Sequence, residues 1–206
     1  MTAFSFPRGF TKDPIDQFRK WYEKARKSGC TTADIMTVAT ATTDAVPSAR
    51  AVLFKGIENG GFVFFTNYKS RKGRELNANP RAAAVFLWSS GADKAPNLQI
   101  RIEGEVQKLS RAESEKYFQT RERKSQIAAW ISLQSSPVPN FHFLQQAAAE
   151  MQDAYSGRKV PCPPFWGGYA IYPASFEFWR AGKYRLNLRV RYKRRRSGWS
   201  AQVLAP

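Results

Sequence analysis

Hydrophobic positions recur along this chain with two periods, and the switch between them marks its elements. Ile15, Phe18, Tyr22 and Ala25 return every three or four residues, as one face of an α-helix does. Asp13 ahead of Pro14, with Asp16 in the first turn, supplies an N-cap, a proline where no amide bond is lost and an acid at the positive end of the helix dipole; Gly29 closes the helix. Beyond it the period shortens to two. Strands are predicted over 35–42, 48–57, 61–67, 82–89 and 98–108, separated by turn signals at 44–47, Asn59-Gly60-Gly61 and 91–96. In the last strand Leu98, Ile100, Ile102 and Val106 alternate with Gln99, Arg101, Glu103, Glu105 and Gln107, so one face is buried and the other polar. Short strands at close spacing, interrupted only by a short helix running to about Ala78, predict an antiparallel barrel rather than a parallel βαβ sheet.

The second half begins with a capping box, Ser110 and Glu113, that starts another helix. If this helix continues far enough, Tyr117, Arg121 and Ser125 fall at i, i+4 and i+8 and line one face with a phenol, a guanidinium and a hydroxyl, a set suited to a phosphate monoester. Gln134-Ser135-Ser136-Pro137 ends that region. A third helix over 141–155 carries Leu144, Ala148, Met151 and Tyr155 at core spacing, with His142 near its start as a structural or exposed residue. After an irregular stretch at 161–164, strands follow over 169–172 and 175–179, Gly182 turns the chain, and a final strand spans 199–204 after a turn at 194–198. No internal repeat is visible, which predicts one domain over 1–206.

The stretch 183–196 joins this alternation to charge. Arg185, Asn187, Arg189, Arg191 and Lys193 alternate with Leu186, Leu188, Val190 and Tyr192, which predicts a strand with its cations on one face. Arg185 and Arg189 would then stand about 13 Å apart, wide enough to hold two ends of an anionic ligand. A solvated edge strand protected by its charges explains the same pattern. Ser70-Arg71-Lys72-Gly73 is the other cationic signal. It opens the short helix, where the dipole disfavours positive side chains unless an anion such as a phosphate is bound.

Composition narrows the chemistry. The 206 residues carry 33 Lys and Arg against 16 Asp and Glu, a formal charge of +17, which calls for an anionic partner. The longest apolar run, 82–88, is too short to span a bilayer and no signal-peptide core is visible, so a cytoplasmic, soluble protein is expected. Cys30 and Cys162 lack metal or disulfide spacing, and His142 is the sole histidine. A histidine triad and a multi-histidine metal centre are thereby excluded, no metal is expected, and the chemistry falls to a cofactor or to Arg, Lys, Tyr and carboxylates.

Taken together, the motifs resemble the pyridoxine/pyridoxamine 5′-phosphate oxidase family from about Phe18 to Pro206. The resemblance rests on Arg50-Ala51-Val52-Leu53-Phe54-Lys55, Phe65-Thr66-Asn67 with Ser70-Arg71-Lys72-Gly73, and Gln99 with Arg101-Ile102-Glu103-Gly104. It continues through Ser125-Gln126 with Ala129-Trp130, Gln134-Ser135, Trp166-Gly167-Gly168-Tyr169, Glu177-Phe178-Trp179 and Leu204-Ala205-Pro206, all in family order. It implies an α+β, mainly β fold: a split antiparallel β-barrel with flanking helices that binds FMN and forms a homodimer with FMN at the subunit interface. By position, Arg50, Val52, Leu53, Lys55, Phe65, Thr66, Arg71, Lys72, Gln99, Gln134, Ser135, Trp179 and Arg189 would bind FMN. Lys55, Tyr117, Arg121 and Ser125 would hold the substrate phosphate, with Arg185 and Asn187 as the catalytic positions over the substrate ring.

The implied reaction oxidises pyridoxamine or pyridoxine 5′-phosphate to pyridoxal 5′-phosphate and reduces O2 to H2O2. Two departures stand out: Phe65 where many members have tyrosine, and Arg185-Leu186-Asn187-Leu188-Arg189 where the family has histidine and an acid at the third and fourth positions. Asparagine offers a donor and an acceptor but does not titrate near neutrality. Those changes admit a second reading, the same flavin fold acting on another reduced heteroaromatic. A third reading is a non-catalytic binder of a phosphate ligand or of nucleic acid. The nucleic-acid version fits poorly, since only Tyr192 and Trp199 accompany the basic run 193–196 as stacking platforms.

Overall fold

In a computed structural model of the chain, which describes residues 6–89 and 97–206, the described strands form one nine-stranded antiparallel sheet. The turn expected at 91–96 lies outside the described residues. Helix α1 (Pro14–Lys27) leads into β1 (Ile35–Ala41), β2 (Pro47–Leu53), β3 (Ile57–Glu58) and β4 (Gly61–Asn67), then α2 (Arg71–Ala78), β5 (Arg81–Trp88) and β6 (Leu98–Lys108). Helices α3 (Arg111–Thr120), α4 (Arg123–Ile131) and α5 (Phe141–Ala154) follow, before β7 (Trp166–Arg180), β8 (Leu188–Arg195) and β9 (Gly198–Leu204). The order across the sheet is β2-β1-β5-β6-β7-β4-β3, with β8 and β9 branching from the far half of β7. Lys55 and Gly56, just after β2, exchange backbone hydrogen bonds with Val63 on β4, which closes the sheet into a split barrel.

Helix α1 seals the barrel because its apolar face is aromatic. Phe18 is fully buried, with its ring centroid 4.8 Å from that of Phe62, 5.0 Å from Phe86 and 5.5 Å from Phe54. Its N-cap forms as the sequence requires, with Asp13 accepting the amides of Ile15 and Asp16. A second apolar cluster, centred on Phe118, Ile127, Cys162 and Trp166, lies under α3 and α4. No described helix is long and apolar enough to cross a membrane.

Five expectations are corrected. The stretch expected to pair from 185 onward begins as a strand only at Leu188, because 183–185 forms a 3-10 turn in which Tyr184 and Arg185 take left-handed φ values of 55° and 63°. The helix expected to carry Tyr117, Arg121 and Ser125 stops at Thr120; Arg121 is extended, and the Phe118 carbonyl accepts both the Arg121 amide and the Gln126 side chain of α4. The two strands expected over 169–172 and 175–179 are one long strand, β7, with a register shift opposite Glu103 and Gly104, whereas the strand expected over 48–57 is interrupted after Leu53. Helix α5 has no fully buried residue; Leu144, Ala148, Met151 and Tyr155 are only half-buried, while His142 is exposed, one of the two placements expected of it.

Candidate functional site

A cavity of about 530 Å³ opens where β2, β4, α3 and α4 meet. Ten of the residues singled out from sequence line it: Val52, Leu53, Lys55, Phe65, Thr66, Lys72, Tyr117, Arg121, Ser125 and Gln134. The break between α3 and α4 does not separate Tyr117, Arg121 and Ser125. It lets Arg121 turn inward between its two neighbours, so the trio shares one wall by a route other than helical spacing.

The floor is built by β4 and the start of α2. Ser70 caps α2 by accepting the Gly73 amide at 3.2 Å, and a Cβ on Gly73 would lie 2.2 Å from the Tyr68 carbonyl oxygen, so glycine alone lets the helix sit this close to its entry loop. That packing buries Lys72, only 7% exposed, whose Nζ donates to Gln134 Oε1 at 2.9 Å and Thr66 Oγ1 at 3.1 Å. Among the described residues no carboxylate pairs with it. Burial, and then the nearby Arg50 charge, push its ammonium down to about 8.

Behind Lys72 lies a residue that sequence reasoning missed. Glu75, 4% exposed, accepts from the Thr40 and Ser48 hydroxyls and from Arg71 Nε at 2.8 Å, and lies 3.5 Å from Arg50 Nη2. Burial alone would raise its carboxyl; the hydrogen bonds from Ser48, Thr40 and Arg71 and the Arg50 charge outweigh that and hold it at about 2. Glu75 thereby fixes two of the predicted FMN-binding residues, Arg50 and Arg71, beside the α2 N-terminus, where the Arg71 amide donates to Ser135 Oγ at 3.1 Å. Its signal in the sequence is the i, i+4 spacing from Arg71.

On the opposite wall Phe65, Tyr117 and Trp166 stack, with Phe65 centroids 3.9 Å from Tyr117 and 5.3 Å from Trp166. Arg121 lies over Trp166 at 4.8 Å, and its Nη1 is buried without a hydrogen-bond partner. Burial lowers its pKa. Lys55, Lys72 and Arg121 face the cavity against Glu122, the one acid among its described lining residues. Buried cations without counter-ions cost desolvation that only an anion returns, so this donor set fits phosphate groups. Trp166, Asn67, Ser132 and Glu122 also line it, with Ala51, Ala128 and Ala129, and were not among the sequence candidates.

The remaining candidates lie elsewhere on the chain. Gln99, Trp179 and Arg189 occupy one row across β6, β7 and β8, paired residue against residue. Their neighbours Leu98, Ile100, Phe178 and Val190 are in the core, so alternation turns the three out of the barrel. Arg189 Nε is 2.8 Å from Glu177 Oε1, and its Nη1 donates to the Ala205 carbonyl. Arg185 and Asn187 lie in the loop before β8, where Asn187 Oδ1 accepts the Gly182 amide at 3.1 Å. Within one chain none of these five lines the cavity.

Comparison with known proteins gives the same picture over nearly the whole chain. Residues 22–155 match the model of the pyridoxamine 5′-phosphate oxidase family, and residues 166–206 that of the pyridoxine 5′-phosphate oxidase C-terminal dimerisation region. The chain is 45% identical over 198 residues to pyridoxine/pyridoxamine 5′-phosphate oxidase of Rubrobacter xylanophilus, covering 96% of this chain and 89% of that protein. Among solved structures it is similar to PhzG from Burkholderia lata in complex with tetrahydrophenazine-1-carboxylic acid, with TM-score 0.89, 30% identity and coverage of 99% and 98% of the two chains. A related FMN-binding protein from Nostoc punctiforme shares the fold, with TM-score 0.71 and 15% identity over 99% of both chains.

Proposed function

This chain belongs to the pyridoxamine 5′-phosphate oxidase family, and from that membership we infer that it is an FMN-dependent oxidase converting pyridoxamine or pyridoxine 5′-phosphate to pyridoxal 5′-phosphate, with O2 reduced to H2O2. The observation that carries the reading is the cavity with its uncompensated cations, Lys72 and Arg121, in a chain that aligns with such an oxidase over 96% of its length. FMN, when bound, accepts two electrons from the substrate and passes them to O2. The protein contributes position and charge.

Arg50, Arg71, Lys72, Thr66 and Ser135, gathered at the start of α2, hold the FMN phosphate, each charge-assisted bond contributing about 1.5–3 kcal/mol. Lys55, Tyr117, Arg121 and Ser125 hold the substrate phosphate on the facing wall. With that end anchored, the reacting carbon is kept against the flavin instead of being free to diffuse. The Phe65, Tyr117 and Trp166 stack keeps this wall rigid and excludes water.

The chain forms a homodimer through its C-terminal dimerisation region. In that dimer Gln99, Trp179, Arg189 and Arg185 close the cavity of the other copy, each FMN lying at the interface; this accounts for two groups of site residues that do not meet within one chain. A second reading, the same cofactor with another reduced heteroaromatic, is favoured by Asn187, whose amide faces its own loop. Loading the protein with FMN and supplying pyridoxamine 5′-phosphate in air separates the two. Equimolar pyridoxal 5′-phosphate and peroxide are expected; a loaded protein that forms neither would exclude the oxidase.

A further inference from the structure

Position 187 departs from the family pattern, and the structure gives its side chain a partner within the protein. Asn187 Oδ1 accepts the backbone amide of Gly182 at 3.1 Å. Two main-chain bonds lie inside the ring this closes: the Leu186 amide donates to the Lys183 carbonyl at 3.0 Å and the Asn187 amide to the Arg185 carbonyl at 2.8 Å. The approach is so close that a Cβ on Gly182 would stand 1.9 Å from the Leu186 carbonyl oxygen. Within the loop Tyr184 and Arg185 are both held at left-handed φ, a conformation side chains other than glycine leave when nothing restrains them. Tyr184 is 93% and Leu186 72% exposed, so these side chains do not anchor the loop to its own chain.

We propose that Asn187 is a positioning residue: its amide oxygen pins the loop 182–187 in the left-handed shape that presents Arg185 to substrate, and does so without touching the substrate. The proposal rests on the oxidase reading for what Arg185 does. Asparagine suits the task chemically. Its oxygen sits on a short side chain and accepts at every pH, whereas an imidazole accepts through a bare nitrogen that is lost on protonation. The loop of this chain is thereby freed from titration near neutrality.

The test uses the FMN-loaded dimer and the variants Asn187→Ala, Asn187→Asp and Asn187→His, with two readouts. One is hydrogen exchange at the Gly182 amide in the absence of substrate; the other is steady-state turnover of pyridoxamine 5′-phosphate. In Asn187→Ala the Gly182 amide should exchange about five-fold faster, the factor for losing one hydrogen bond. Its kcat should fall by about ten-fold or more while KM stays within about three-fold, because Arg185 is misplaced and the phosphate anchors are intact. Asn187→Asp keeps an acceptor oxygen and should restore slow exchange and most of kcat. Asn187→His should introduce an acid limb in kcat near pH 6.5 that the natural chain lacks.

Equal exchange at Gly182 in Asn187→Ala and the natural chain would overturn the pin. A KM rise in both Asn187→Ala and Asn187→Asp with exchange unchanged would also overturn it, placing Asn187 on the substrate. A natural chain that exchanges slowly but turns over no pyridoxamine 5′-phosphate would remove the role for Arg185 together with the oxidase reading, which keeps the two failures distinct.

Discussion

Glu75→Gln removes one buried negative charge and leaves the shape of the side chain, so it isolates what that charge contributes. In the fold the carboxyl is held at about 2, against an ordinary 4.5. Because the folded value is the lower one, the stabilisation is present above the unfolded pKa and is lost as pH falls from about 4.5 towards 2. A shift of that size corresponds to about 3 kcal/mol in full, of which about 2 kcal/mol is lost between pH 7 and pH 3. Urea unfolding of the FMN-free dimer, at one protein concentration and at both pH values, measures it. The natural chain should lose about 2 kcal/mol more than Glu75→Gln over that interval, the other carboxylates cancelling in the difference. Parallel losses would refute the claim that Arg50, Arg71, Thr40 and Ser48 hold Glu75 ionised, and with it the account of how the phosphate ligands are fixed.

Three further outcomes follow from the cavity. Lys72 loses its proton as pH rises through about 8, so the FMN dissociation constant, from flavin fluorescence quenching, should rise about ten-fold between pH 7 and pH 9; Lys72→Met should bind weakly at both values and show no such rise. Arg121→Met should fold and retain FMN, since Nη1 has no partner to lose, and its KM for pyridoxamine 5′-phosphate should rise about 30-fold, the equivalent of about 2 kcal/mol; an unchanged KM would place the substrate phosphate elsewhere. Gly73→Ala drives a methyl into the Tyr68 carbonyl and should cost about 1–3 kcal/mol in thermal unfolding while weakening FMN binding; full FMN affinity would show that α2 can shift without disturbing the phosphate site.

What the sequence made legible was whatever a local period encodes. The alternation in β6, the strand β4 and the caps of α1 and α3 all appear where the pattern puts them, because each depends on neighbours within a few residues. The failures share a cause. At 183–187 an alternating pattern is overruled by a glycine approach and a side-chain bond five residues apart, and at Arg121 a helical face is broken so that one guanidinium can stack on Trp166, 45 residues further along. The cavity residues come from β2, β4, α2, α3, α4 and β7, a grouping no spacing announces; the family motifs supplied it. Glu75 carries no local signal beyond its spacing from Arg71, because its other partners, Thr40, Ser48 and Arg50, come from β1 and β2.

The most direct test of the central claim is the visible spectrum of the FMN-loaded protein after anaerobic addition of pyridoxamine 5′-phosphate. Loss of the flavin bands, with recovery on admitting air and pyridoxal 5′-phosphate in the mixture, is the predicted result. Flavin bands that stay unchanged in a fully loaded protein would contradict it.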